Sequence, residues 1–285
     1  MERQTIFAAL LIAALLTPQP HAGERVPSVK DVMRRVASYV SAYGEKASIV
    51  VGTERYTQET DGNTPDAQRR RVTVAEFAIV KVERARGWLG FRDVVEVDGR
   101  SLPDREDRLV RLLTSPGDRY DEARRLTAES ARFNIGRVER NFNVPTTVLF
   151  YFTPDHQERF KFSAKGVQAD GTWEIAYRET QQPTLIRTPE GKSVPSDGSI
   201  WVNPADGTIL RTVLRVGGVG IGAPKGVRGA GSIDVTYRRV EPLDMWLPES
   251  MVEQFETKDR DARETVTGRA TYSNYRQFQT FGRVR

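Results

Sequence analysis

The sequence predicts an α+β fold made mainly of antiparallel β-structure: a curved, half-barrel-like sheet with an N-terminal helix and a central helical insertion. Ser199–Val216 has two extended arms around Asn203–Gly207, where proline and glycine favour a tight turn. Further extended runs, separated by turn residues, precede and follow this hairpin. An apolar stripe with helical spacing near the N-terminus and helix-like composition over about residues 103–153 interrupt them.

The second arm of the hairpin alternates with a period of two, as strands do. The pattern predicts two faces, with the arginine face turned to solvent. One face holds Leu210, Thr212, Leu214 and Val216, and the other holds Ile209, Arg211, Val213 and Arg215.

The length of the chain suits a single large domain, and the distribution of its charges argues against a nucleic-acid binder. The chain has 285 residues, 38% of them hydrophobic, which is enough for one core, so residues 23–285 are expected to form a single domain. The net charge is +5, and its 35 arginines and 8 lysines are scattered among acidic residues. We therefore expect no nucleic-acid partner.

Residues 1–22 are predicted to be a signal peptide. Arg3 precedes the apolar run Ile6–Leu16, which is too short to span a bilayer, and Pro20–Ala22 offers small residues for cleavage. An uncleaved interfacial anchor is the alternative. The chain has no cysteine, which excludes disulfides and lipid attachment through cysteine. A periplasmic or extracellular location is expected, with no transmembrane segment in the mature chain.

Ser28–Tyr43 is the clearest predicted helix. Ser28 and Asp31 form a variant of the capping box, and Gly44 is the expected stop. One stripe of this helix is apolar and is expected to pack on the sheet; it consists of Val29, Val32, Met33, Val36 and Val40.

Three strands are expected before the insertion, forming a meander: Ile49–Glu59, Arg70–Glu83 and Trp88–Val97. Asp98-Gly99 favours a turn after them. The insertion is expected to cover one face of the sheet. Its predicted segments are Asp104–Leu113, Asp121–Phe133 and Thr146–Phe152; the last is a helix ended by Pro154 or else a buried strand.

Seven more strands are predicted after the insertion: Arg159–Ala164, Thr172–Glu179, Ser199–Asn203, Thr208–Val216, Ser232–Val240, Pro248–Glu256 and Thr265–Phe278. Between two of them, Gly217–Gly231 contains seven glycines. It lacks the helix and lysine context of a phosphate loop, so we expect a hairpin loop, or a lid beside the sheet.

No catalytic or metal motif stands out, so no enzyme activity, metal or cofactor is predicted. His156 has no second histidine at ligand spacing and no nucleophile elbow to serve, and a surface turn is favoured. The acidic cluster of Asp104, Glu106 and Asp107 is interleaved with arginines, which is typical of a solvated helix start.

Aromatic residues recur on the predicted strands. Either they fill a core or they line an apolar cavity inside a curved sheet, and periodicity does not separate the two. The ligand-binding candidates are Phe77, Trp88, Phe91, Trp201, Tyr237, Phe255 and Tyr272. Glu253 shares a strand face with Met251 and Phe255, which makes it a candidate inward charge that needs an arginine partner.

Residues from about Ile200 to Phe278 resemble the bacterial outer-membrane lipoprotein carrier and lipoprotein-sorting proteins, the LolA/LolB-like fold, which a periplasmic sigma-factor regulator shares. The resemblance lies in Ile200–Pro204 with Asp206-Gly207, Trp246–Pro248 with Met251 and Glu253, and the strand Ala270–Tyr272. The whole mature chain also resembles a group of uncharacterised secreted bacterial proteins. The carrier resemblance implies a strongly curved sheet whose concave side holds helices and, in the carriers, acyl chains.

The function expected from these observations is non-enzymatic binding of an apolar or amphiphilic ligand, a lipid or an acylated peptide, by a secreted module. The alternative is an envelope scaffold or regulatory domain with a filled core, which binds an envelope protein through its surface. An empty apolar concavity favours the first, and a packed interior with an exposed apolar patch favours the second.

Overall fold

One antiparallel sheet of eleven strands dominates the computed structural model. The structure describes residues 26–47, 50–64, 67–82, 87–105, 108–114, 120–138, 140, 142–188, 190–219 and 228–277. The strands are β1 (Val50–Gly62), β2 (Arg70–Val82), β3 (Gly87–Val97), β4 (Arg100–Ser101), β5 (Phe160–Val167), β6 (Trp173–Glu179), β7 (Ser196–Val202), β8 (Ile209–Val219), β9 (Arg228–Val240), β10 (Met245–Asp259) and β11 (Ala262–Gln277).

The sheet consists of two meanders joined through its first and last long strands. Its order is β4-β3-β2-β1-β11-β10-β9-β8-β7-β6-β5, and β1 pairs with β11 from Val50↔Gln277 to Gly62↔Glu264. The end strands β4 and β5 are not paired with each other, so the curved sheet stays open along one side. The predicted fold class, a curved and mainly antiparallel sheet with few helices, is confirmed.

Within the described ranges, five helices accompany the sheet: α1 (Val29–Ala47), α2 (Arg108–Thr114), α3 (Tyr120–Ala131), α4 (Thr147–Tyr151) and α5 (Pro154–Gln157). A 3₁₀ turn spans Glu241–Leu243. In the stretches that the structure describes, no helix combines the length and apolar character needed to cross a membrane.

Helix α1 begins where the capping box predicts. The Ser28 hydroxyl donates to Asp31 Oδ2 at 2.7 Å, and the Asp31 amide donates to Ser28 Oγ at 3.2 Å. The expected stop at Gly44 is wrong, because the helix continues to Ala47. Gly44 is needed for packing instead, since a Cβ atom there would lie 1.8 Å from the Trp88 ring.

The sheet curves around α1, which contacts β2 and β3 near one end and β5 at the other. Four residues of the apolar stripe of α1 are buried in one core with side chains from most strands, among them Phe77, Ile200 and Leu214, and Val29 packs against that core partly buried. The concave side is therefore occupied by protein.

The central insertion covers both faces of the sheet, and the expectation of a single face is wrong. Ala78 and Val80 of β2 pack against α2 and α3, whereas Phe77 and Ile79 belong to the core beneath α1. Neighbouring strand residues point to opposite faces, so α2 and α3 lie on the convex side and α1 on the concave side. The chain then returns to the concave side through α4, whose Val148 and Leu149 join the main core.

The structure decides between helix and strand for Thr146–Phe152 in favour of the predicted helix, and two further local expectations change. The run around Val148 is helical, and Pro154 begins α5 rather than ending a segment. The acidic stretch before α2 is not its first turn, since Asp104 has a φ of 56° in a turn and α2 begins at Arg108. Glu106, Asp107 and the predicted signal peptide Met1–Ala22 lie outside the described residues, as do residues 220–227 of the glycine-rich segment.

The alternation predicted for β8 fails at its first residue. Trp201 pairs with Arg211, but Val202 pairs with Ile209, so Leu210 is an extra residue in a β-bulge. Ile209 therefore turns into the core with Thr212, Leu214 and Val216. The arginine face is turned outward, as predicted.

Candidate functional site

The interior of the sheet contains a buried ion pair that includes the predicted inward charge. Glu253 and Arg140 are 0% exposed, and Arg140 Nε lies 2.9 Å from Glu253 Oε1. The Tyr56 hydroxyl donates to the same carboxylate. Arg140 also donates to the Ile135 carbonyl at 2.9 Å and to Gln58 Oε1 at 2.7 Å. The inward orientation of Glu253 thus comes with the arginine partner that its burial requires.

A second buried pair lies beside the first. Arg92 Nε is 2.9 Å from Glu54 Oε1, and the Tyr272 hydroxyl donates to Glu54 Oε2 at 2.7 Å. Arg92 donates to the Asn143 carbonyl at 2.7 Å, and Asn143 Nδ2 reaches the Tyr56 hydroxyl at 3.4 Å. These links join the two pairs into one network.

The network is electrically balanced and anchors the chain between α3 and α4. Burial raises the pKa of Tyr56 and of Tyr272, and the carboxylates of Glu253 and Glu54 raise them further. The two phenols therefore stay protonated and act as donors. Each carboxylate is matched by one arginine, so we assign the network a structural role in holding Arg140 and Asn143 inside the sheet.

A groove remains at the open side of the sheet, where β3 approaches the loop after β6. This seam groove has a volume of about 690 Å³, within the range of small-molecule sites. Its described lining is Trp88, Leu89, Gly90, Arg124, Thr127, Ala128, Phe142, Val144, Thr146, Thr147, Phe150, Tyr151, Leu185, Ile186 and Arg187.

The seam groove is apolar at its floor and basic at its rim. Val144, Tyr151 and Ile186 are buried, and Phe150 is half-buried. Arg124 and Arg187 are exposed, and the described lining contains no acidic side chain. Such a lining suits a ligand with an apolar body and a negative group.

The predicted ligand-binding aromatics lie in four separate places. Trp88 alone lines the seam groove. Phe77, Tyr237, Phe255 and Tyr272 are buried in the concave core, where Phe77 and Tyr272 pack edge-on at 5.6 Å. Phe91 is buried beneath α2 and α3, and Trp201 lies on the convex face. A ligand-binding role for these residues stays a prediction.

Several lining residues escaped the sequence analysis. Phe142, Leu185 and Arg187 lie in segments without regular structure, where no periodicity marks the buried face. The partner of Glu253 was missed for the same reason, because Arg140 belongs to a loop. The sequence analysis did single out Trp88 and the segment Thr146–Phe152, and Trp88, Thr146 and Phe150 do line the groove.

The convex face carries charge pairs that are open to solvent. Arg211 Nε donates to Asp234 Oδ1 at 2.9 Å and its guanidinium lies 4.4 Å from the centre of the Trp201 ring. Arg215 pairs with Asp197 at 2.6 Å. Across this face, cross-strand charge pairs are the recurring pattern.

His156 lies at the end of α5, against the ring of Phe150 at 4.3 Å, and its Nδ1 is 3.0 Å from the Thr153 hydroxyl. Among the described residues, no group of three or more histidine or acidic side chains could hold a metal ion.

The comparisons with known proteins were made on sequence and on fold. No protein-family model matches the sequence, and no curated protein matches it either. Among solved structures, one of MucB in complex with MucA(peri) shares 9% identity and a TM-score of 0.20, over 88% of this chain and 100% of that chain.

The complex structure of Pseudomonas aeruginosa MucA/MucB shares 10% identity and a TM-score of 0.19, over 86% and 99% of the two chains. The di-domain ARO/CYC StfQ from the steffimycin biosynthetic pathway shares 11% identity and a TM-score of 0.14, over 86% and 81%. These TM-scores are too low to support a functional conclusion, and the resemblance to lipoprotein carriers stays a prediction.

Proposed function

We propose that this chain is a secreted, non-enzymatic module that binds an amphiphilic ligand, a lipid or an acylated peptide, in the seam groove. The observation that carries the proposal is the groove itself, with about 690 Å³ of volume, an apolar floor and arginines at its rim. The periplasmic or extracellular location rests on the predicted signal peptide.

The proposed site differs from the one expected in a hollow half-barrel. Helix α1 and the chain around Arg140 fill the concave side, and the two buried ion pairs hold that chain in place. The seam groove has the size and the apolar floor that such a ligand needs, so we place the apolar part of the ligand between Val144, Phe150 and Leu185.

Binding is tested first by native mass spectrometry of the chain purified from a bacterial periplasm, followed by solvent extraction. A stoichiometric amphiphile is expected. A clean apo mass that takes up neither added palmitate nor added phospholipid would overturn the proposal.

The position is tested by Leu185→Asp, which puts a carboxylate among the apolar lining residues and close to the anionic end of the ligand. The affinity for palmitate is expected to fall about tenfold or more. Val252→Asp is the matched control, because Val252 is 39% exposed on the convex face. Equal affinities of the two variants would place the ligand elsewhere.

The filled interior favours a second candidate, a regulatory or scaffold domain that binds an envelope protein through its surface. This candidate predicts no extractable amphiphile and a partner that is recovered by crosslinking in the periplasm. Crosslinks that vanish after charge changes on the convex face but persist in Leu185→Asp would favour it over the first.

A further inference from the structure

We infer that the seam groove takes an extended acidic peptide segment, which adds as a further strand along the open edge of β3. The inference rests on the proposed function, because it places an amphiphilic ligand in the same groove and specifies a peptide backbone as the part that β3 recognises. Three features carry it: an unpaired strand edge, two chemically different walls and a positive rim.

The groove runs along the edge of β3 rather than over one of its faces. Trp88, Leu89 and Gly90 are consecutive residues of β3, and all three line the groove. The lining also includes Thr127 of α3 on the convex side and Val144 on the concave side, so the groove spans both sides of β3 and lies at the edge of that strand.

The backbone of this edge offers hydrogen-bonding groups to the groove. Further along β3, the Arg92 carbonyl accepts from the Ser130 hydroxyl, and the Val94 amide donates to that hydroxyl. Residues 92 and 94 therefore turn their backbone groups away from β2, and by alternation Trp88 and Gly90 do the same.

No described strand pairs with this part of the edge. β4 pairs only with Glu96 and Val97, beyond the groove. Unpaired N–H and C=O groups in a row form a template for a peptide strand. An acyl chain cannot supply hydrogen bonds to these groups, whereas a peptide backbone can.

The two ends of the sheet differ in how their edges are protected. The edge strand β5 carries the exposed lysines Lys161 and Lys165, which discourage strand addition. The β3 edge has Trp88-Leu89-Gly90-Phe91 at the corresponding place, without a charged side chain. The lysines therefore disfavour pairing of another strand with β5, whereas no charged side chain of Trp88–Phe91 opposes pairing of a partner strand with β3.

The walls of the groove define the sequence pattern of the partner. Side chains of an added strand would alternate between the α3 side, with Arg124 and Thr127, and the concave side, with Val144 and Phe150. Acidic residues suit the exposed Arg187, which lies beside the first wall, and apolar residues suit the second wall.

The probe is the hexapeptide acetyl-VEVEVE-amide, titrated against the whole chain while amide exchange is followed residue by residue. Exchange of the Trp88 and Gly90 amides is expected to slow at least about tenfold on binding. N-methylation of the peptide amides that face β3 should weaken binding about tenfold, and N-methylation of the alternate amides should change it much less.

Charge recognition is tested with Arg187→Glu, which should weaken binding of VEVEVE and strengthen binding of acetyl-VKVKVK-amide. The matched control is Arg269→Glu, an equal charge change at an exposed residue of β11 on the convex face. Equal effects of the two variants would contradict recognition at the groove.

The outcomes separate this inference from the proposed function. Palmitate binding without VEVEVE binding overturns strand addition and leaves amphiphile binding intact. Binding of VEVEVE that neither protects Gly90 nor responds to alternate N-methylation also overturns it. Binding of neither probe overturns the inference and the proposed function together.

Discussion

The interior and the convex face of the sheet use the same residue types, arginine and a carboxylate, in opposite environments. Arg140 and Glu253 are both 0% exposed at 2.9 Å, whereas Arg215 and Asp197 are 51% and 39% exposed at 2.6 Å. The separations are similar, and access to water is what differs. Contact distance therefore does not decide how much a charge pair matters to this fold.

The difference follows from what remains when one partner is removed. Water solvates an orphaned charge on the convex face, but a charge left inside the sheet has lost both its partner and its hydration. The interior pairs consequently determine whether the chain around Arg140 and Asn143 can stay on the concave side, and the outer pairs do not.

The largest expected effect is that of Arg140→Met, which leaves Glu253 buried and unpaired. The free energy of unfolding should fall by about 3–5 kcal/mol, measured by urea denaturation. Adding Glu253→Leu should restore a large part of this loss, because it removes the orphaned charge. A loss below about 1 kcal/mol in the single variant would contradict the interior assignment.

The second-largest effect is expected from adding a side chain at Gly268, next to the buried ion-pair network. A Cβ atom on Gly268 would lie 2.6 Å from Glu253 Cγ and 2.7 Å from Tyr56 Cε2. Gly268→Ala should therefore cost about 1–3 kcal/mol of unfolding free energy. Gly166→Ala is the control, since a Cβ atom there meets nothing within 4 Å; it should stay within about 0.5 kcal/mol of wild type. Equal losses would mean that packing around Gly268 is unimportant.

Asp93 lies beneath α2 and α3, and the effect expected from changing it falls between those of the interior network and of the exposed pairs on the convex face. Its carboxylate is 1% exposed and lies 3.4 Å from Arg105 and 3.5 Å from Arg108. Burial raises the pKa of Asp93 from 3.8 to about 6, even though Arg108 lowers it. The folded state therefore holds the proton more tightly than the unfolded chain does.

The sign of the pH dependence follows. Stability gained from protonating Asp93 is fully present below pH 3.8 and is lost as the pH rises through about 6. Between pH 5 and about 7.5, wild type should lose more thermal stability than Asp93→Asn, which cannot titrate. Parallel pH profiles for the two proteins would show that burial does not shift Asp93.

The smallest expected effect is that of Arg215→Ala on the convex face. Loss of its pair with Asp197 should cost about 0.2–1 kcal/mol of unfolding free energy. The difference from wild type should shrink at high salt, because exposed pairs are screened. If Arg215→Ala lost as much unfolding free energy as Arg140→Met, and lost it independently of salt, the proposed difference between the convex face and the interior would be contradicted.

Prediction from sequence succeeded where the signal is local. The strands were found because residues such as Leu214 and Val216 alternate with outward arginines, and the capping box of α1 was found because its two residues lie three apart. The candidate site was predicted less well. Of the seven proposed aromatics, Trp88 alone lines the groove, since the groove is formed by segments far apart in the chain.

By itself, the sequence determined the antiparallel strands, the start of α1 and the outward arginines of β8, because each depends on the spacing of neighbouring side chains. Only the tertiary structure decided that Glu253 faces Arg140, that the insertion covers both faces and that a groove remains beside β3. Those features depend on the register and curvature of an eleven-stranded sheet, which bring together residues whose separation along the chain carries no periodic signal.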